Sequence, residues 1–232
     1  MATHTARNRR LPPEERRAQI VEAVLKVVAT HGVPGATVSK IAASAGVSEG
    51  ALYVHFASRE EMLTAALDAI FEEMSELIDS SAGRTAVERL SHIAQHHSRL
   101  MKTQLGGFTA PWIEFIAAGP QVGLRDAVAE TQSKAFEKML QIVRDGQAEG
   151  TIRPDLDARR LTWQFYTILW TENVSSLMGL AEYIDDGHSA YSLELLLREA
   201  RVDGAASRSA SRAASRAASR AATPARQGPA VR

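Results

Sequence analysis

The chain has 232 residues, 45% of them apolar, no cysteine, and 27 basic side chains against 27 acidic ones. That apolar content suffices for one or two packed domains, while the missing cysteines exclude disulfides and thiolate metal sites. No run of about 20 apolar residues spans a bilayer, and the N-terminus lacks the apolar core of a signal peptide, so a soluble cytoplasmic protein with no membrane partner is expected. The neutral total hides a division. Residues 1–56 carry seven Lys/Arg against four Asp/Glu, residues 57–203 carry 14 against 23, and residues 204–232 carry six Arg and no acid. Only the head and the tail are drawn to phosphate.

Residues 1–10 form a basic arm (Arg7, Arg9, Arg10) read as disordered. A first helix is predicted from about Pro13 to Thr30, with Ile20, Val24, Val27 and Val28 on its apolar face. Thr37 is placed to cap a second helix, in which Ile41 and Ala45 share a face. Gly46 follows where the chain must turn left-handed, Ser48 caps a third helix, and Leu52 and Phe56 supply its buried stripe. Two short helices around a tight turn make a helix-turn-helix, whose second helix fits a DNA major groove.

Ser58 and Glu61 form a capping box that opens a long helix to about Ser80, with the stripe Leu63, Leu67, Ile70, Met74 and Leu77. Helical periods continue from about Thr85 to Leu105, Pro111 to Ala118, Val122 to Glu149, Asp157 to Leu180 and Ser189 to Arg201. Gly106-Gly107, Gly119-Pro120 and Gly150 separate them. No strand-like alternation occurs, so the chain reads as all-α, with three helices in the head and six in the body. The expected division is a head at 1–57, a body at 58–203 and an Arg/Ser/Ala-rich tail at 204–232. The tail places Arg208, Arg212, Arg216 and Arg220 four residues apart. It reads as a solvated flexible segment, with a non-specific phosphate-binding arm as the alternative.

Several motifs resemble the TetR family of transcriptional regulators. Glu14 to Val24 resembles the family's first helix and His31-Gly32-Val33 its end. Ala36-Thr37-Val38-Ser39-Lys40-Ile41-Ala42 resembles the start of its second helix. Ala45 to Phe56 (AGVSEGALYVHF) resembles its turn and recognition helix, and Arg59-Glu60-Glu61-Met62-Leu63 the start of its fourth, where the family usually has Lys in place of Arg59. The match covers about residues 14–63. It implies an all-α protein of about nine helices that binds double-stranded DNA as a homodimer, most simply a repressor on a palindromic operator, released by a small effector.

The recognition helix begins after Ser48. Glu49 is suited to accept from cytosine N4, while Gly50 and Ala51 allow close approach and the Ala51 methyl suits a thymine methyl. With so few polar groups there, DNA shape carries part of the discrimination. By resemblance Tyr53, His55 and Arg59 bind backbone phosphate, with Lys40 a weaker candidate. Thr37 and Ser39 are suited to donate to phosphate beside a helix N-terminus.

In the body, Phe108, Trp112 and Phe115 form one aromatic window, and Trp163, Phe165, Tyr166 and Trp170 another. Trp163, Tyr166 and Trp170 share a helical face and suggest a cavity wall. Glu114, Asn173, Thr167, His97 and Gln104 are the polar candidates near it, and Met101 completes the expected lining. Without a Lys/Arg cluster, a hydrophobic or aromatic effector is expected. By resemblance the last two helices dimerise, through Leu161, Phe165, Ile168, Leu169, Leu193, Leu196 and Leu197; the alternative is that these side chains only close the monomer's core. Glu88, His92 and His96 lie four apart, but no further ligand cluster accompanies them, and no metal or cofactor is expected. No nucleophile elbow, phosphate loop, zinc signature or flavin fingerprint occurs, which argues against an enzyme. The rival reading is an architectural DNA-binding protein with no effector.

Overall fold

A computed structural model describes residues 11–103, 109–118, 120–180 and 182–202. Ten α-helices run through the described residues, with no strand among them. They are α1 (Pro13–Gly35), α2 (Val38–Ala45), α3 (Glu49–Tyr53), α4 (Arg59–Asp79), α5 (Ala86–Thr103), α6 (Thr109–Ala118), α7 (Arg125–Ala148), α8 (Ala158–Leu177), α9 (Glu182–Asp185) and α10 (His188–Ala200). None is long and apolar enough to cross a membrane.

The sequence marks most helix starts by side chains that satisfy orphan backbone amides. Thr37, Ser48, Ser58 and Asp157 accept from Lys40 N, Ala51 N, Glu61 N and Arg160 N. Thr85 and Glu88 cap α5 reciprocally, at 2.9 Å from Thr85 N to Glu88 Oε2 and 3.4 Å from Glu88 N to Thr85 Oγ1. Glu88 is therefore engaged as a cap. His92 lies 3.3 Å from the Ser80 hydroxyl and beside the His96 ring.

Two apolar cores share α4. The first joins α1, α2, α3, the front of α4 and α6, with Ile20, Val24, Ile41, Leu52, Phe56, Leu63 and Phe115 buried in it. The second joins the end of α4 to α5, α7, α8 and α10 through Ile78, Ile93, Val143, Phe165 and Leu197. Trp170 flanks both. α4 is thus a strut whose two ends belong to different packing units.

Helix ends differ from the periodic reading where backbone geometry intervenes. α1 continues to Gly35 but bends at Gly32, whose φ of 68° leaves the helical region. A Cβ at Gly32 would lie 2.8 Å from Glu114 Oε2, so α6 is seated against this bend. α7 begins at Arg125, since Gly123 just before it is left-handed, and Gly179 likewise follows the end of α8. The four-residue α9 is additional to the nine expected helices; it is too short to carry a period.

At Gly146 a helix passes close to its neighbours: a Cβ there would sit 2.5 Å from Ala86 Cβ and 2.7 Å from Ile152 Cδ1. Gly146→Ala is expected to force α5 and α7 apart and destabilise the body by about 1–3 kcal/mol, read as a lower thermal midpoint. An unchanged midpoint would show that this junction relaxes freely.

Candidate DNA-reading head and body cavity

The head holds α3 in place from three sides. Leu52 and Phe56 are buried under it. Arg17 from α1 donates to the His55 carbonyl at 2.7 Å, stacks with its guanidinium carbon 4.0 Å from the Phe56 ring centre, and pairs with Glu61. Gln19 donates to the Ala45 carbonyl at 3.0 Å, tying α1 to the end of α2. Glu61 also accepts from Ala57 N at 2.6 Å, which fixes the entry into α4.

Against this scaffold Thr37, Ser39, Lys40, Ser48, Glu49, Gly50 and Tyr53 are exposed, and Ala51 and His55 half-buried. A side chain at Gly50 would meet open space, so packing does not require glycine there. Tyr53 is 51% exposed. Thr37 and Ser48 each have one function already as caps. Sequence reasoning missed Val54, 78% exposed just beyond α3, since periodicity cannot show on which side a helix ends.

Arg59 is engaged within the head. Its Nε donates to the Ala36 carbonyl at 2.7 Å and an Nη to the Val33 carbonyl at 2.5 Å. Both carbonyls lie just past the Gly32 bend, and that of Val33 also accepts from Ala36 N at 3.3 Å. The guanidinium therefore clamps the start of α4 to the end of α1.

The body forms a half-open cavity of about 760 Å³ between α4, α5, α6, α7 and α8. Trp112, Tyr166 and Trp170 form an aromatic corner, with ring centres 6.5 Å apart for Trp112–Trp170 and 6.4 Å for Tyr166–Trp170. Burial pushes the Tyr166 phenol up to about 12, so it stays protonated and donates to Gln132 Oε1. His97, Met101 and Asn173 also line the cavity, as expected. One wall was not foreseen: α4 contributes Ile70, Met74 and Leu77 together with Glu72, Glu73 and Glu76.

A polar network closes one side. Glu172, 1% exposed, accepts from His97 Nδ1 at 2.7 Å and from the Ser98 hydroxyl at 2.5 Å. This leaves His97 Nε2 facing Asn173 Nδ2 at 3.3 Å, while Thr109 donates to Asn173 Oδ1 at 3.1 Å. His97, Ser98, Thr109, Glu172 and Asn173 thus each have a partner inside the protein.

Two aromatic side chains lie off the cavity. Trp163 is 61% exposed and packs against Phe136, away from the cavity. It shares a face with Trp170 but lies two turns, about 10 Å, nearer the start of α8. Phe115 is buried in the first core, about one turn past Trp112 along α6. Phe108 lies outside the described residues. Of the polar candidates, Glu114 sits against Gly32, Thr167 is exposed with its hydroxyl donating to the Gln164 carbonyl, and Gln104 lies outside the described residues.

The side chains expected at a dimer interface divide. Leu161, Phe165, Leu169, Leu193 and Leu197 are buried inside the single chain, and Ile168 and Leu196 are partly buried against the same core. Large apolar side chains open to solvent from the end of α8 onward are Val174, Leu177, Met178, Tyr183 on α9 and Tyr191 on α10.

An α-helical body with an apolar cavity, carrying a helix-turn-helix at its front, defines a DNA-binding transcriptional regulator. The family model described as "Bacterial regulatory proteins, tetR family" matches residues 20–66. The repressor KstR2 of Mycobacterium tuberculosis is 32% identical over 155 residues, covering 61% of this chain and 72% of the relative. The fatty acid metabolism regulator protein of Bacillus subtilis is 28% identical over 145 residues, covering 61% and 73%. A TetR transcriptional regulator from Chloroflexus aurantiacus shares the fold at a TM-score of 0.71, with 21% identity over 82% of this chain and 98% of that one. The chain belongs to the TetR family of transcriptional regulators.

Proposed function

We propose that the protein is a repressor that binds a two-fold operator as a dimer and loses affinity when a small molecule occupies the body cavity. The observation that carries this reading is the double membership of Trp112. It lines the cavity and is buried in the head's own core, on a helix that packs along α1. A ligand that displaces α6 therefore moves an element on which the head is built. Such a ligand weakens operator binding by as much as it favours the displaced arrangement over the DNA-competent one.

For the DNA side, the exposed row from Ser48 to Tyr53 supports major-groove entry, with Tyr53, His55, Ser39 and Lys40 toward phosphate. The bare Gly50 position allows the backbone close to base edges. Tyr53→Phe removes one hydroxyl that makes no hydrogen bond within the described fold. It is expected to lower operator affinity roughly tenfold at fixed salt without moving the thermal midpoint, as for loss of one hydrogen bond to a charged group. Unchanged affinity would remove Tyr53 from the interface.

For dimerisation, the open side chains on α8, α9 and α10 are the surface we assign. Met178, 66% exposed, lies among them. Met178→Glu places a charge in an apolar interface and is expected to turn a dimer into a monomer in sedimentation. A dimer of unaltered affinity would place the interface elsewhere.

Footprinting tests the whole reading. A discrete protected stretch with inverted symmetry supports the repressor. Uniform coverage supports the architectural rival and contradicts the proposal.

A further inference from the structure

We infer that the cavity selects a lipophilic cation: an aromatic or bulky apolar body carrying a positive charge. The inference rests on reading the cavity as the effector site. It starts from a charge imbalance in the wall. Glu72, Glu73 and Glu76 line the cavity, and among the described residues no Lys or Arg does.

Two lysines of α7, which packs on α4, are engaged elsewhere. Lys134 bonds Glu130 at 2.7 Å and reaches Glu72 only through its longer-range field. Lys138 pairs with Asp79 at 2.9 Å. Glu73 is half-buried and has neither a hydrogen bond nor an ion pair among the described residues. Its carboxyl is held above the usual carboxylate range, first by burial and then by the neighbouring Glu76. A cation beside it would relieve both causes.

The remaining polar lining offers a ligand little. His97, Asn173 and Thr109 are joined to one another and to buried Glu172, and the Tyr166 hydroxyl is held by Gln132. The His96 ring lies tilted beside His92, 6.3 Å between centres. The groups left without a hydrogen-bond partner are the α4 carboxylates and the His96 ring nitrogens, and the faces of Trp112, Tyr166 and Trp170 lie across from them. Carboxylates attract a positive charge, and so do aromatic faces, through the ring quadrupole. An anionic ligand would bury its charge against three acids with no counter-charge in the lining.

Tetraphenylphosphonium and tetraphenylborate test this directly, being nearly equal in size and shape and opposite in charge. The full chain carrying Trp163→Phe leaves Trp112 and Trp170 as the fluorescent reporters, both on the cavity wall. Saturable quenching by the phosphonium at least tenfold tighter than by the borate is expected. Glu73→Gln should weaken phosphonium binding about tenfold and narrow the gap, and Glu76→Gln should act in the same direction with a smaller loss. Thermal melting of each variant separates a binding loss from misfolding. Equal or tighter borate binding overturns the cation assignment and leaves the cavity as a ligand site. A full phosphonium preference in the Glu73→Gln/Glu76→Gln double variant also overturns it. Binding of neither probe removes the cation assignment and the effector-site reading together.

Discussion

Phe56→Ala is expected to unfold the head while the body persists, because this ring supports three contacts at once. It is 2% exposed, and its loss leaves a void worth about 3–5 kcal/mol in a well-packed core. The Arg17 guanidinium rests on its face and from there holds the His55 carbonyl and Glu61. Without the ring, Arg17 loses its seat, and α3 loses the anchor at its C-terminal end. The head is small, so this cost is comparable to its whole stability. A separate low-temperature transition in calorimetry is expected, with operator binding lost at ordinary salt. Phe56→Leu keeps most of the volume and should bind operator measurably. Operator affinity within a factor of two for Phe56→Ala would contradict the packing described here.

Glu172→Ala is expected to destabilise the body by about 3 kcal/mol, the lower end of the range for leaving two buried donors unsatisfied at about 1–3 kcal/mol each. The carboxylate holds both His97 and Ser98, and its removal leaves two polar groups against apolar walls. The lower end applies because His97 borders the cavity, where water can reach it. A fall in thermal midpoint of roughly 6–12 °C corresponds to that loss. Glu172→Gln should be milder for a specific reason. Its amide oxygen can still accept from His97 Nδ1 while its nitrogen donates to the Ser98 hydroxyl, which turns to accept. Asn173 keeps its bonds to Thr109 and the Leu169 carbonyl, so the chain of partners reorganises without breaking. A drop as large for Glu172→Gln as for Glu172→Ala would show that the network cannot reorganise.

The head was legible in the sequence because its signals are local. Thr37, Gly46, Ser48 and the Ser58–Glu61 pair act within a few residues of themselves, and the structure uses each as a cap or turn. Arg59 was not legible in that way. Its contacts depend on the carbonyls of Val33 and Ala36, placed by a bend that a single Gly32 creates more than 25 residues earlier. In the body, periodicity gave the correct face for most side chains but not the neighbour opposite it. Trp163 and Trp170 share a face of α8, yet one meets Phe136 at the surface and the other the cavity. The leucines of α8 and α10 are an apolar stripe, and a stripe reads alike whether it faces the same chain or another. The acidic wall of α4 escaped notice because Glu72, Glu73 and Glu76 look like a solvated face until α8 is placed across from them.

The most direct measurement of the regulatory account uses full-length protein, its footprinted duplex and a scrambled duplex of the same length, titrated at one salt concentration and weighed by sedimentation. The account expects protomers to bind in pairs, and to hold the specific duplex at least about a thousandfold more tightly than the scrambled one. A single protomer that holds both duplexes equally would contradict it.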